Sequence, residues 1–288
     1  MATYTIRFFS SFCDSANCKG VYERLCETHL MDYYGANNRI NITVGDDYTH
    51  VIILNTAMPV IPPHIPKENV VGLAFEPPVY LGITNRFVEY AVRNIGKYFI
   101  GEKSNLPHPF IEHYSYMWHI TPLKHIPEKR NKMSLMVSNK IQQPGHRYRH
   151  LIASRILNTF LPIDIYGRGC GMLKTDGHDN RIRGGFEELE PYSSYDFHIC
   201  IENVQTNDYF SEKITNTLLT STVPVYLGCK NITSYFPSDV ICLSGNIDQD
   251  MGLLEDICNY PEKYKRPIDV NRIKSSISLI ENIDRIFT

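Results

Sequence analysis

The chain of 288 residues has no apolar run of about 18 residues, the length that a membrane-crossing helix needs. Its opening stretch, MATYTIRFFSSF, is too short and too polar for a signal peptide or an anchor. The chain is therefore expected to be soluble and cytoplasmic. It also lacks an excess of basic residues. Lys and Arg number 29 against 31 Asp and Glu, a formal net charge of −2, which excludes the broad basic face of a nucleic-acid binder. Any anion site must be local. Of the eight cysteines, only Cys13 and Cys18 are close in sequence, and no second pair with zinc-ligand spacing follows them. Buried free thiols in a reducing compartment are expected. No Gly-x-Gly-x-x-Gly follows a strand, which argues against a dinucleotide oxidoreductase. The nearest stretch, Gly167-Arg168-Gly169-Cys170-Gly171, has no clear helix behind it, and it either lines a ligand cleft or is an ordinary loop. A single Asp-x-Asp occurs, Asp248-Gln-Asp250, just before a helix. It reads as a cap rather than a ligand for Mg²⁺ or Mn²⁺, so no obligatory metal is expected.

What is present is alternation. Short β-branched or aromatic runs take turns with helical segments, the pattern of parallel sheets covered by helices. Strands are expected at Tyr4–Phe9, Val51–Leu54, Val70–Phe75 and Tyr98–Ile100, then at Ser134–Val137, Ile163–Tyr166, Phe197–Ile201, Val223–Leu227 and Val240–Leu243. Helices are expected at Val21–Tyr34, Asn85–Asn94, Tyr148–Phe160, Phe210–Thr220, Gln249–Asn259 and Val270–Phe287. The segment 107–132 carries Pro107, Pro109, Pro122 and Pro127 and breaks the alternation. The expected fold is α/β, with two Rossmann-like domains facing each other across a cleft. The expected domains are 1–130, 131–265, and an amphipathic C-terminal helix over 266–288 with Ile273, Ile277, Ile280 and Ile283 on one stripe. That helix packs on its own domain or braces the first. Open α/β sheets bind ligands at the carboxyl ends of their strands.

The stretch from Tyr195 to Gly228 holds most of the polar chemistry. A buried strand, Phe197–Ile201, stops at Glu202-Asn203. A loop follows, then a helix near Phe210 that Asn207 or Asp208 can cap. Glu212, Lys213 and Asn216 sit in its first turns. Backbone N–H groups at a helix start attract phosphate, and Lys213 adds a full charge. An ordinary βαβ unit with a solvated Glu-Lys turn gives the same pattern. Further upstream, Arg147 and Arg149 lie close together at another helix start, which suits phosphate as well as a solvated basic turn. In Val70–Tyr80, Glu76 stands ahead of Pro77-Pro78. The two prolines are expected to end a strand and hold the carboxylate at its tip.

The Tyr195–Gly228 segment resembles the signature of the α-1,3/4-fucosyltransferases, glycosyltransferase family 10, of the soluble bacterial or viral type. The residues that carry it are Phe197, Glu202, Asn203, Asp208, Tyr209, Glu212, Lys213, Pro224 and Gly228. Ser211 stands where Thr is usual and keeps the hydroxyl; Val204 stands where Ser is common. Met133–Arg168 resembles the start of the same family's donor domain, with a strand ending near Asn139, a basic helix start and Asp164-x-Tyr166-Gly167-Arg168. The resemblance implies a GT-B-like fold and an inverting transfer of L-fucose from GDP-fucose to a hydroxyl of a glycan acceptor. It implies Glu76 as general base and Glu212 beside the sugar ring. Arg149, or failing that Arg147, implies contact with the diphosphate, with Asn203, Tyr209, Ser211, Lys213 and Asn139 completing the donor site. No nucleic acid and no cofactor beyond the nucleotide-sugar donor are expected.

Two rival readings stay open: another GDP- or dTDP-deoxysugar as donor, and a binding module without turnover. His178, Asp179, Arg181 and Arg183 form a polar loop that either touches donor phosphates or is solvated. Tyr114, Tyr116 and Trp118 either stack on an acceptor sugar or pack.

Overall fold

A computed structural model describes residues 3–29, 39–116 and 125–288. The chain forms two compact units. The first comprises Met1–Thr121, Thr206–Tyr209 and Lys274–Thr288; the second comprises Pro122–Gln205 and Phe210–Ile273.

The first unit is built on a six-stranded parallel sheet of order β2-β1-β3-β4-β5-β6. Its strands are β1 (Tyr4–Ser10), β2 (Ile40–Thr43), β3 (His50–Leu54), β4 (Val70–Leu73), β5 (Lys97–Ile100) and β6 (Phe110–Glu112). The central strands are uninterrupted apolar runs because a parallel sheet is covered on both faces. Val51–Leu54 and Val70–Leu73 are fully enclosed. Helix α1 (Ser15–His29) follows β1. After β4 come α2 (Pro78–Leu81) and α3 (Asn85–Asn94), the latter capped by Thr84, whose hydroxyl accepts from Phe87 N at 3.2 Å.

The second unit has a six-stranded parallel sheet of order β12-β11-β10-β7-β8-β9. Its strands are β7 (Asn131–Met136), β8 (Ile163–Tyr166), β9 (Ile182–Gly184), β10 (Tyr195–Ile201), β11 (Val223–Leu227) and β12 (Ile241–Cys242). Helices α4 (Pro144–Leu157), α5 (Glu212–Leu219) and α6 (Ile247–Asn259) follow β7, β10 and β12. Leu135, Ile152, Ile165, Ile199, Val225 and Leu254 are completely or almost completely enclosed in the common core. The chain enters at β7 and builds β8 on one side and β10 on the other. The carboxyl ends of β7 and β10 are thus where strand order reverses, the place where open α/β sheets form a ligand crevice.

Several expected elements differ. The single helix expected over 266–288 is two helices, α7 (Val270–Ile277) and α8 (Ile283–Phe287). The break is made by Asn282, whose side-chain amide donates to the carbonyls of Ser275 and Ser278 at 2.8 Å each and so takes over the helix's C-terminal acceptors. Residues 274–288 are part of the first unit, where Phe287 lies against Tyr4 and His50 and Asp284 accepts from the Tyr4 hydroxyl at 2.7 Å. Pro77-Pro78 does not extend β4. The strand ends at Leu73, and Pro78 opens α2, where a missing N–H costs nothing. Helix α5 is capped by Ser211, not by Asn207 or Asp208, and Asn246 caps α6 ahead of Asp248. Asp250 instead gathers the preceding loop, accepting from the backbone of Ser244 and Gly245 and from the hydroxyls of Ser244 and Tyr148.

Candidate functional site

The second unit contains a cavity of about 260 Å³ at the carboxyl edge of its sheet. The ends of β7, β8 and β10 form its floor through Val137-Ser138, Gly167 and Ile201. Arg149, Arg168, Phe186, His198, Glu212 and Lys213 supply its side chains.

The charged wall is assembled around Glu202, which is 2% exposed at the end of β10. A carboxylate so enclosed must be satisfied locally. Ser211 does this with its backbone N–H at 2.9 Å and its hydroxyl at 2.8 Å from both carboxylate oxygens. Lys213 Nζ lies 3.5 Å from Glu202, 3.0 Å from the Ser211 hydroxyl and 3.1 Å from Glu212. Burial works against the Lys213 charge, but Glu202 and then Glu212 outweigh it and hold its pKa above the ordinary range. Glycines let the backbone close around this carboxylate. A Cβ at Gly145 would fall 1.8 Å from the Glu202 carbonyl oxygen, and one at Gly228 would fall 2.4 Å from Glu202 Cγ. Gly145 N donates to the Asn203 carbonyl at 3.0 Å, so the first turn of α4 rests directly on the end of β10.

That docking positions Arg149. It is 7% exposed, donates through Nε to the Gly145 carbonyl at 3.2 Å, and donates through Nη2 to Asn203 Oδ1 at 2.5 Å. Burial lowers its pKa, with Glu202 and Glu212 opposing, yet a guanidinium stays charged at neutral pH. His146, on the same helix turn, is pushed down to about 4 by burial and by the charges of Arg149, Lys140 and Lys213. It is neutral at pH 7 and accepts the Gln143 N–H through Nδ1 at 3.3 Å. The cavity wall thus brings three cations, Arg149, Arg168 and Lys213, to one place, with the carboxylates of Glu202 and Glu212 holding Lys213, and cations so placed suit a ligand bearing phosphates.

The two arginines have different places. Arg147 is exposed and donates to the carbonyls of Ile141 and Gln142 at 3.2 and 2.7 Å, closing the loop before α4. Arg149 faces the cavity. Arg147, Asn139, Asn203 and Ser211 are not among the cavity's lining residues; Asn139 is exposed in the loop beyond β7, and Asn203 and Ser211 support Arg149 and Glu202 from behind. Tyr209 lies in the first unit together with Thr206, whose hydroxyl donates to Glu102 at 2.8 Å, whereas Ser211, Glu212 and Lys213 lie in the second. Arg181 serves a structural end: it pairs with Asp179 at 2.7 Å and donates to the carbonyls of Ile156, Leu157, Thr159 and Leu161, capping the end of α4. Arg183 pairs with Asp164 at 3.2 Å. Tyr114 and Tyr116 are buried, and Trp118 lies outside the described residues.

Residue-by-residue reading missed His198 and Phe186 as cavity walls, whereas Gly167 and Arg168, of the glycine-rich stretch singled out in the sequence, do line the cavity. The hydrophobic run of β10 hid His198 as an expected core residue. It is 1% exposed, sits 2.7 Å from Ser134 Oγ, and burial drives its pKa down to about 3.

In the first unit Glu76 is exposed in the bend between β4 and α2. The bend is held from below. Asn55 Oδ1 accepts from Phe75 N at 2.8 Å, and the Tyr98 hydroxyl donates to the Asn55 carbonyl at 2.8 Å. Asn55 adopts the left-handed conformation at φ 55°, which Asn tolerates better than most residues. Tyr80 lies near enough for the Glu76 charge, after burial, to raise its pKa. Glu76 therefore stands on a fixed carboxyl-edge turn.

Residues 126–242 match the family model described as glycosyltransferase family 10 (fucosyltransferase) C-term. A putative fucosyltransferase of Acanthamoeba polyphaga mimivirus is 25% identical over 162 residues, covering 49% of this chain and 26% of that protein. The chain thus spans about a quarter of that relative's length. A crystal structure of an α1,3-fucosyltransferase with GDP-fucose shares the fold at a TM-score of 0.51 and 13% identity, over 95% of this chain and 82% of that one. Anabaena Alr3699/HepE, solved with UDP-glucose, does so at 0.56 and 12% identity, over 97% and 90%. The architecture is GT-B-like, and over residues 126–242 this chain resembles the C-terminal domain of the family 10 fucosyltransferases.

Proposed function

We propose that the protein is an inverting glycosyltransferase that moves L-fucose from GDP-fucose to a hydroxyl of a glycan acceptor. The observation that carries this reading is the cavity at the strand-order reversal of the second unit, with Arg149 and Lys213 in its walls and Glu212 beside them, inside the segment that matches the fucosyltransferase family. In this reading the diphosphate is held by Arg149 and Lys213, whose charges oppose the negative charge that grows as GDP departs. Asn203, by accepting from Arg149, and Ser211, by bonding Glu202, keep those cations in place. Glu212 favours positive character on the sugar ring. The acceptor oxygen attacks the anomeric carbon as the bond from that carbon to the phosphate oxygen breaks. Glu76 takes the acceptor's proton, and attack opposite the leaving group inverts the anomeric centre. The cations named supply the charge that Mg²⁺ or Mn²⁺ supplies in other transferases, so the reaction runs without added metal.

Val204, at a position where family members commonly carry Ser, favours one second reading, a different GDP- or dTDP-deoxysugar donor. The test is donor turnover in EDTA with a panel of nucleotide sugars. Turnover of GDP-fucose alone, lost in Lys213→Ala, supports the proposal. Turnover of another donor selects the second reading. Binding of a donor without turnover leaves a binding module, and neither binding nor turnover of any donor overturns the proposal.

A further inference from the structure

Cys13 and Cys18 lie at the carboxyl end of β1, where loop 11–14 turns into α1. The turn is tightly defined. Asp14 accepts the Asn17 N–H through its side chain at 2.7 Å and the Cys18 N–H through its carbonyl at 3.1 Å. This places the two Sγ atoms 3.2 Å apart. Other thiols in the chain meet oxygen acceptors instead: Cys170 the Ile165 carbonyl, Cys229 the Asn231 side chain, Cys200 the Lys213 carbonyl. A disulfide needs an S–S distance of about 2.05 Å, so closure asks for a movement of about 1.2 Å.

The two sulfurs are not equivalent. Cys18 is 0% exposed on the inner face of α1, in the core that includes Phe8 stacked on Tyr22 at 4.5 Å. Cys13 is half-buried on the loop and accessible from solvent. We propose that Cys13 and Cys18 form a reversible dithiol–disulfide pair, with a low-molecular-weight disulfide such as oxidised glutathione as its oxidant. The Cys13 thiolate attacks one sulfur of the small disulfide and expels one thiolate, leaving a mixed disulfide on Cys13. Cys18 then gives up its proton, attacks Cys13 Sγ and expels the second thiolate. Two electrons pass from the cysteines to the small disulfide, which leaves as two thiols carrying the two protons.

Burial, followed by the hydrogen bond and charge of Cys13, pushes the Cys18 thiol up to about 12. Cys18 is therefore a slow second attacker, and its own ionisation does not stabilise the reduced form. Closure acts on loop 11–14, because Cys18 is fixed by its helix and Cys13 is not. The loop also carries Phe12, 48% exposed, whose ring centroid is 6.2 Å from that of Phe75, the neighbour of Glu76.

The test uses the full chain, folded, incubated with oxidised glutathione, quenched with an alkylating agent and digested for mass spectrometry. The expected product is a peptide joining Cys13 to Cys18, lighter by two hydrogens and restored by dithiothreitol. Cys18→Ser should stop at a glutathione adduct on Cys13, and Cys13→Ser should give neither adduct nor cross-link at Cys18. Wild-type protein that keeps glutathione on Cys13 while Cys18 remains alkylatable would overturn the proposal. So would a Cys13 cross-link to any other cysteine, or no reaction at Cys13 at all. Should either variant fail to fold, the wild-type peptide map decides alone.

Discussion

Replacing Lys213 by Met removes a cation beside a carboxylate that has almost no access to water. The Glu202 side chain is 1% exposed and that of Lys213 20%, with 3.5 Å between the charges. Removing one member of a buried pair costs about 3–5 kcal/mol, mostly because the other charge is left uncompensated. Here Ser211 keeps its hydrogen bonds to Glu202, so the lower end, about 3 kcal/mol, applies. Glu202→Gln alone should cost about 1–3 kcal/mol, since the new amide brings a donor to a site built of donors. The double variant, with neither charge, should be more stable than the sum of the single losses by about 2 kcal/mol. Urea unfolding followed by circular dichroism measures this. With a slope of about 3 kcal/mol per molar, Lys213→Met should move the midpoint down by about 1 M. An unchanged midpoint, or losses that simply add, would refute the claim that Lys213 balances Glu202. The double variant should still bind GDP poorly, which separates the stability role of Lys213 from its place in the cavity wall.

Other consequences follow from the same geometry. Arg149→Ala should weaken GDP binding by about ten- to a hundredfold in calorimetry, whereas Arg147→Ala, on the loop side, should change it by less than about threefold. Gly145→Ala should destabilise the second unit by about 3 kcal/mol in urea unfolding, because the new methyl meets the Glu202 carbonyl at 1.8 Å and the backbone cannot yield cheaply. His198 has a pKa of about 3 in the folded chain. Below about pH 6.5 the unfolded chain takes up a proton that the folded one refuses, so stability falls as pH drops from there toward 3, by about 5 kcal/mol at most. His198→Asn should therefore begin acid unfolding at a lower pH; an identical acid profile would contradict the assignment.

The strands of both sheet centres were legible because a buried parallel strand is a continuous apolar run. Ile163–Tyr166 and Val223–Leu227 have the same bounds in sequence and structure. The strands that were missed, Ile40–Thr43, Phe110–Glu112 and Ile182–Gly184, are short and lie at or beside sheet edges, where polar residues are tolerated. Helix α4 starts at Pro144, before its apolar periodicity begins, so periodicity alone placed its start at Tyr148. In the candidate site, the cluster Glu202, Arg149, Glu212 and Lys213 was visible as charge at strand and helix ends. The division of labour within it was not. That Arg149 rather than Arg147 turns inward depends on Gly145 letting α4 touch β10, a tertiary contact without a local signal. That Ser211 serves Glu202 depends on a loop closing over nine positions.

The most direct test of the account is release of GDP from GDP-fucose in EDTA by wild type and by Glu76→Gln, with GDP affinity measured in parallel. Turnover by the wild type, loss of at least about a hundredfold in the variant, and unchanged GDP affinity are expected, because in the proposed mechanism Glu76 acts on the acceptor's proton, and it lies outside the cavity's lining. Wild-type turnover in Glu76→Gln, or failure of the wild type to bind GDP or turn over its fucoside, would contradict the account.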